Sequence, residues 1–270
     1  MSIRFVTNQK IAETSSKGNQ EKWLEGNRWY KLDQFGYEAL AETVSSIILE
    51  KSNIETELGF RFVRYQMERM HVHGYERNGC SSENFLQKDQ SIITLSHLLK
   101  RHEERPLHEV LGRLSSDKKR IAYLAERTTE ITGLPRFPQY LTLLFEIDAL
   151  FLNDDRHLNN IAVLEKDGTY DYCPIFDNGA GLLSNTQMLS MDIDPKGLIS
   201  QQVARPFHMT FNRQQNTVRA LYGKQLTLPQ FSRKELLELL EPSLQYYAKR
   251  DQVLIADRVC EVILTRQKKT

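Results

Sequence analysis

The apolar run LTLLFEIDALFL (residues 141–152) is followed at once by NDDRHLNN (153–160) and then by the β-prone IAVL (161–164). A helix period carried by the first segment thus ends in two aspartates, three asparagines, an arginine and a histidine. Polar groups packed that densely beside a core element need partners, because each one buried unpaired costs about 1–3 kcal/mol. The chain continues through IAVLEKDGTYDYCPIF (161–176), which reads as two strands turning at Asp167 and Gly168, and then enters DNG (177–179). If those strands pair, their outer ends meet and residue 160 comes to lie beside residue 177. Helix, polar loop, hairpin and acidic turn in that order restrict the fold more than any other feature.

The same juxtaposition has a chemical reading. Asn160 and Asp177 offer one amide carbonyl and one carboxylate, a hard-oxygen pair suited to a magnesium ion that still carries water and phosphates. Asp155, five residues before Asn160, is left beside such an ion, free to take a proton from an attacking hydroxyl. An aspartate, an asparagine five residues on, and a later aspartate before glycine is the order used for phosphoryl transfer in protein kinases. DNG by itself is more often a turn. It is the intervening hairpin that makes the two fragments one site.

Away from this region the sequence divides by period. KWLEG and NRWYKLD (22–33) read as a hairpin turning at Gly26 and Asn27, followed by a helix in GYEALAETVSSIILEKS with Leu40, Val44, Ile47 and Ile48 on its apolar face. GFRFVRYQMERM (59–70) alternates as a strand, with VHGYERNG its continuation or neighbour. From about residue 88 helical spacing dominates: ITLSHLLKRH, SDKKRIAYLAERTTEIT, FPQYLTLLFEIDALFL and the stretch from residue 232 to the end, with Ser116 and Ser232 as caps and Pro135 and Pro138 framing a helix start. The expectation is α+β: a small strand-rich lobe over residues 1–86 and a larger, mostly helical lobe over 87–270, with a ligand cleft between them.

Composition excludes several alternatives. A net charge of +1 argues against a strongly basic nucleic-acid footprint, so no direct nucleic-acid binding is expected. Three widely spaced cysteines, Cys80, Cys173 and Cys260, read as reduced core thiols. No apolar stretch reaches the ~20 residues of a membrane span, and MSIRFVTNQK lacks the apolar segment of a signal peptide, so a cytoplasmic protein is expected.

The small lobe should grip phosphate. TSSKGNQEK (14–22) is a small-residue loop in which Gly18 lets backbone N–H groups approach an anion; read alone, with one glycine, it is more readily a solvated turn. Lys31 lies on an aromatic strand and reads two ways: inward, against a phosphate or carboxylate, or outward into water. Glu38, at the start of the next helix, is the partner the inward reading selects.

SSKGNQEKW (15–23), WYKLD (29–33) with FGYEALAE (35–42), NDDRHLNNIAVL (153–164) and PIFDNGAGLLS (174–184) together resemble the HipA-like serine/threonine kinases, especially their short CtkA-like branch. The resemblance runs in order along nearly the whole chain, and DRHxxN with its downstream aspartate is its most specific part. It implies a bilobal kinase fold using ATP and Mg2+. Lys31 is then the ATP-phosphate lysine, Asp155 the catalytic base, and Asn160 and Asp177 the magnesium ligands. Ser15, Gly18, Gln20 and Lys22 match the family's SxxGxQxK loop, where the kinase can phosphorylate itself; Ser15 or the adjacent Ser16 is the acceptor implied here. Glu83 and Phe85, in SSENFL, fall in the connector facing adenine.

The resemblance further implies a protein substrate with a serine or threonine acceptor and a helix-turn-helix antitoxin partner. Only about fourteen residues precede the loop, so the extra amino-terminal subdomain of full-length HipA is expected to be missing, or supplied by a separate small polypeptide. DNG stands where eukaryotic kinases have DFG, so phenylalanine-based switching is not implied. Residues 182–212 lie where kinases keep the activation and substrate-docking segment. Two rival readings keep the fold: a small-molecule or lipid kinase, and a nucleotide-binding partner protein without turnover.

Overall fold

A computed structural model describes residues 3–6 and 20–270. Ser15, Ser16 and Gly18 lie outside the described residues.

The first sheet has five strands: β1 (Arg4–Phe5), β2 (Lys22–Glu25), β3 (Arg28–Leu32), β4 (Tyr65–Val72) and β5 (Tyr75–Glu83), in the order β1-β4-β5-β3-β2. β1 runs parallel to β4 and the other pairs are antiparallel. The β4–β5 turn is made by His73 and Gly74, both at positive φ (52° and 83°), which matches the twist of a two-residue hairpin. The expected strand from residue 59 begins only at Tyr65. Residues 61–63 instead reach across to a later part of the chain, with the Val63 N–H donating to the Ile175 carbonyl and the Ile175 N–H to that of Arg61, both at 2.8 Å.

Helix α1 (Glu38–Leu49) buries every residue but Ile47, and the reason is its place between two layers. Ala39 packs with Val63, Tyr65 and Cys80 of the sheet side, while Leu40, Ala41, Val44 and Ile48 belong to the main helical core. That core is built on α5 (Phe137–Phe151), whose buried positions run almost unbroken from Tyr140 to Phe151. Against it lie α4 (Asp117–Thr132), α7 (Phe211–Tyr222) and α9 (Lys249–Arg266), and α8 (Arg233–Leu244) packs on α9 and α1. Ser116 and Ser232 cap α4 and α8, the latter in a reciprocal capping box with Glu235.

A second sheet crosses the helical part: β6 (Ser91–Thr94), β7 (Ala162–Lys166) and β8 (Thr169–Tyr172), all antiparallel, with Asp167 and Gly168 at the β7–β8 turn. β6 corrects the helical reading of ITLSHLLKRH. The β-branched Ile92, Ile93 and Thr94 pair with β7, and Thr94 caps α2 (Leu95–His102) by accepting from the His97 N–H. Two short helices, α3 (Leu107–Arg113) and α6 (Pro195–Gln201), and a two-stranded ribbon, β9 (Val203–Ala204) with β10 (Met209–Thr210), complete the chain. All three cysteines are free and buried. Among the described residues no helix is long and apolar enough to cross a membrane.

Candidate active site

α5 ends at Leu152 in the left-handed region (φ 56°), and Asn153 turns the chain back beneath it. Asn153 Nδ2 donates to Asp148 Oδ1 and to the Asp177 carbonyl, each at 3.1 Å, joining the helix to the loop after the β7–β8 hairpin. Arg156 completes the joint. Its side chain is 1% exposed. Nε lies 3.0 Å from Asp148 Oδ1, Nη1 donates to the carbonyls of Asn160 (3.1 Å) and Phe176 (2.8 Å), and Nη2 donates to Asn178 Oδ1 at 2.8 Å. A single nitrogen thus ties the residue entering the hairpin to the residue leaving it. This holds together the two ends of the β7–β8 hairpin, Asn160 at one and Phe176, next to Asp177, at the other.

Asp177 itself has φ 65°, a left-handed backbone rarely adopted outside glycine and common where a loop is held for function. Its Oδ1 lies 2.7 Å from Lys31 Nζ, and Glu42 Oε1 lies 2.5 Å from the same nitrogen. Burial works against the Lys31 charge, but Asp177 and Glu42 outweigh it and hold the ammonium protonated well above its ordinary range. Asp177 is likewise opposed by burial, and Lys31 overcomes this to hold its carboxyl well below the usual value. The second oxygen of Glu42 accepts the Asn178 N–H at 2.8 Å, so one carboxylate of α1 grips both the lysine and the acidic loop.

Lys31 therefore faces inward, but its helix partner is Glu42 and not Glu38. Glu38 turns to the preceding loop, accepting the N–H of Phe35 (2.6 Å) and of Gly36 (3.0 Å). Those donors precede a helix whose N-cap, Tyr37, makes no side-chain cap. The loop before α1 also meets the segment after Asp177. Tyr37 donates through its N–H to the Ser184 carbonyl (3.2 Å) and through Oη to that of Leu182 (2.7 Å), and the Thr186 N–H donates to Phe35 (3.0 Å).

Asp155 is exposed beside this cluster. Asn160 Nδ2 donates to its carbonyl (2.9 Å) and its Oδ2 (3.3 Å), so the amide oxygen is the atom of Asn160 that could hold a cation. Burial raises the Asp155 carboxyl, with His157 opposing and the Asp177 charge adding to the rise. Asp154 is pushed up to about 6 by burial and by its neighbour Asp155. The His157 ring does not brace the loop. Its Nδ1 is buried without a hydrogen bond and its Nε2 lies 3.7 Å from Asp155 Oδ1; the bracing is done by its backbone and by Arg156.

On the sheet side, Gln20 Nε2 donates to the Leu32 carbonyl at 2.7 Å, fixing Gln20 against β3. Lys22 stands opposite Lys31 in the β2–β3 register. Its pKa is lowered by burial, against the pull of Asp177 and with the repulsion of Lys31. No partner among the described residues neutralises it, so a second ammonium borders the cluster. Phe85 packs on Phe176, with ring centroids 6.1 Å apart, and touches buried residues of both sheets; the Glu83 side chain points to solvent, 4.0 Å from Arg28.

Among the described residues no group of three or more His, Cys, Asp or Glu forms an all-protein metal cage. Asn160 and Asp177 supply an amide oxygen and a carboxylate from the two ends of the hairpin that Arg156 ties together, with Lys31 on the carboxylate and Lys22 opposite Lys31 in the strand register. That set fits a magnesium ion arriving with phosphates, and Asp177 and Asn160 would hold it.

Glu42→Gln tests the geometry independently of any activity. The amide keeps the shape but leaves Lys31 with one carboxylate and sets an NH2 group or a neutral oxygen against the Asn178 N–H. A loss of about 2–3 kcal/mol in urea unfolding is expected.

A five-stranded sheet with α1 laid between it and a helical body, and an acidic loop closing on the sheet lysine, make this a chain of the HipA-type kinase fold. The crystal structure of the Helicobacter pylori proinflammatory kinase CtkA matches it with a TM-score of 0.55 at 12% identity, covering 94% of this chain and 92% of that one. HipA from the Shewanella oneidensis MR-1 toxin–antitoxin system, solved with HipB and operator DNA, matches with a TM-score of 0.50 at 12% identity. Here 95% of this chain is covered but only 65% of the HipA chain. At that identity the likeness is one of fold. No protein-family description matches the sequence, and no curated protein is significantly similar to it.

Proposed function

We propose that this chain is an ATP- and Mg2+-dependent kinase of the HipA/CtkA type that phosphorylates serine or threonine in protein. The observation that carries the reading is Lys31 Nζ held at once by Glu42 of α1 and by Asp177, 146 residues further along the chain, beside the Asp155–Asn160 pair. A buried lysine kept charged by two carboxylates is ready to receive phosphate oxygens.

In the proposed reaction Lys31 and Lys22 stabilise negative charge on the phosphates, and Asn160 and Asp177 would hold a magnesium ion. The bound ion supplies neutralisation of the charge spreading over the γ-phosphoryl oxygens. Asp155 orients the acceptor hydroxyl. The acceptor oxygen bonds to the γ-phosphorus as the bond from that phosphorus to the β,γ-bridging oxygen breaks. ADP carries away the bridging oxygen, and the hydroxyl proton passes to Asp155. Exposure of Asp155 suits a protein acceptor, which must reach it from outside.

Autophosphorylation on Ser15 or Ser16 is part of the reading and rests on the loop motif. An antitoxin partner rests on the likeness to HipA, whose structure is of a toxin–antitoxin system. Incubation with ATP and Mg2+ followed by peptide mass spectrometry is expected to show a gain of about 80 Da on a peptide containing residues 15 and 16. Absence of phosphate from every serine and threonine, in this chain and in added protein substrates, would overturn the assignment.

A further inference from the structure

The turn between α8 and α9 reaches back to the first sheet. Tyr246 accepts through its carbonyl from Arg69 Nη2 (2.5 Å) and Asn78 Nδ2 (2.9 Å), and its Oη donates to the Met67 carbonyl (3.1 Å). Tyr247 Oη donates to Asp33 Oδ2 at 2.7 Å. The other oxygen of Asp33 accepts the Ala39 N–H at 2.7 Å, so Asp33 caps α1 from outside the helix, where the N-cap residue Tyr37 supplies no side-chain bond. Arg77 fixes the Asp33 backbone by donating to its carbonyl at 2.6 Å. Burial raises the Asp33 carboxyl to about 7, with Glu38 adding to the rise and the Ala39 N–H, the Tyr247 hydroxyl and Arg77 opposing it. Each donor on this carboxylate therefore matters.

We infer that Tyr247 is a positioning residue for the transfer reaction: through Asp33 it fixes the first turn of α1, and so places Glu42 against Lys31. The inference rests on the kinase reading proposed above. Lys31 in β3 and Asp33, one residue past the end of that strand, meet the same helix; the first is met by Glu42 and the second caps it. A shift of α1 therefore moves both ends of the cluster. Tyr247 touches neither nucleotide nor acceptor in this account and acts only through the carboxylate.

The test is a double-mutant cycle of Tyr247→Phe and Asp33→Asn in the full chain, with circular dichroism confirming that each variant folds. Tyr247→Phe, which removes one hydroxyl, is expected to lower kcat about tenfold while KM for ATP stays within about twofold. Hydrogen exchange at the Ala39 amide should quicken by about the same factor. In the Asp33→Asn background the same change should cost nothing more. Unchanged kcat and unchanged Ala39 exchange in Tyr247→Phe, or an equal loss in both backgrounds, would overturn the inference while leaving the kinase reading intact. A wild-type chain inactive towards ATP would instead overturn the kinase reading and the catalytic half of this inference, whereas accelerated Ala39 exchange would still establish the strut.

Discussion

Asp177→Asn is expected to reduce phosphoryl transfer from labelled ATP by at least about a thousandfold, and Asp155→Asn to do the same, with the fold retained in both. The two losses have different causes. The substitution of Asp177 would remove the carboxylate proposed to hold a divalent ion and one of the two anions on Lys31. The substitution of Asp155 would remove the proton acceptor beside an intact ion site. The fold tolerates the first change because Lys31 keeps Glu42.

Stability gives an independent check on Asp177→Asn. The wild-type carboxyl sits well below its ordinary value, since Lys31 outweighs the burial that opposes it. A depressed folded pKa contributes stability above the unfolded pKa and loses it as pH falls through the folded one. The gap between wild type and variant should therefore be constant from about pH 5 to 8 and close only below about pH 4. Transfer activity that survives either substitution would sink the site assignment.

Arg156→Met should have the largest effect on stability. The guanidinium is the only cation bonded to Asp148 among the described residues, and it satisfies two backbone carbonyls and Asn178 as well. Removing it strands a fully buried carboxylate, at a cost of about 3–5 kcal/mol. Burial already raises Asp148 to about 6 against Arg156 and Asn153. Without the arginine it would rise further, so the folded state would bind a proton that the unfolded chain releases. Stability then increases as pH falls from the folded pKa towards the unfolded one. The deficit of Arg156→Met, read from urea midpoints, should accordingly be smaller at pH 5 than at pH 8. A deficit below about 1 kcal/mol at pH 8 would show that Arg156 does not hold the loops together.

The legible and illegible parts of this molecule separate by range. The β2–β3 and β7–β8 hairpins, the caps at Ser116 and Ser232 and the α1 and α5 helices follow from spacings of two or four residues and from turn chemistry at Gly26, Asp167 and Gly168. That Asn160 and Asp177 come to the two ends of one hairpin was legible because a hairpin is itself a local structure. Thr94 shows where local reading failed: a strand and a helix abut with no loop between them, and the helix period was carried one element too far.

The partner of Lys31 was beyond any local rule. Glu38 and Glu42 are four residues apart on one helix, each able to face the sheet, and composition is blind to the difference. Only the height at which α1 packs, set by Ala39 against Tyr65 and by the Asp33 cap, brings Glu42 level with the lysine. Arg156 and Tyr247 belong to the same class. Each draws its meaning from segments that meet only in the folded chain: residues 148, 160, 176 and 178 around the arginine, and Asp33, 214 positions away, against the tyrosine. By itself the sequence determined the elements, the turns and the acidic loop, because their energies are local. Which charges meet, and which are buried, was decided by tertiary packing, because the cost of an unpaired charge is incurred only once water has been excluded.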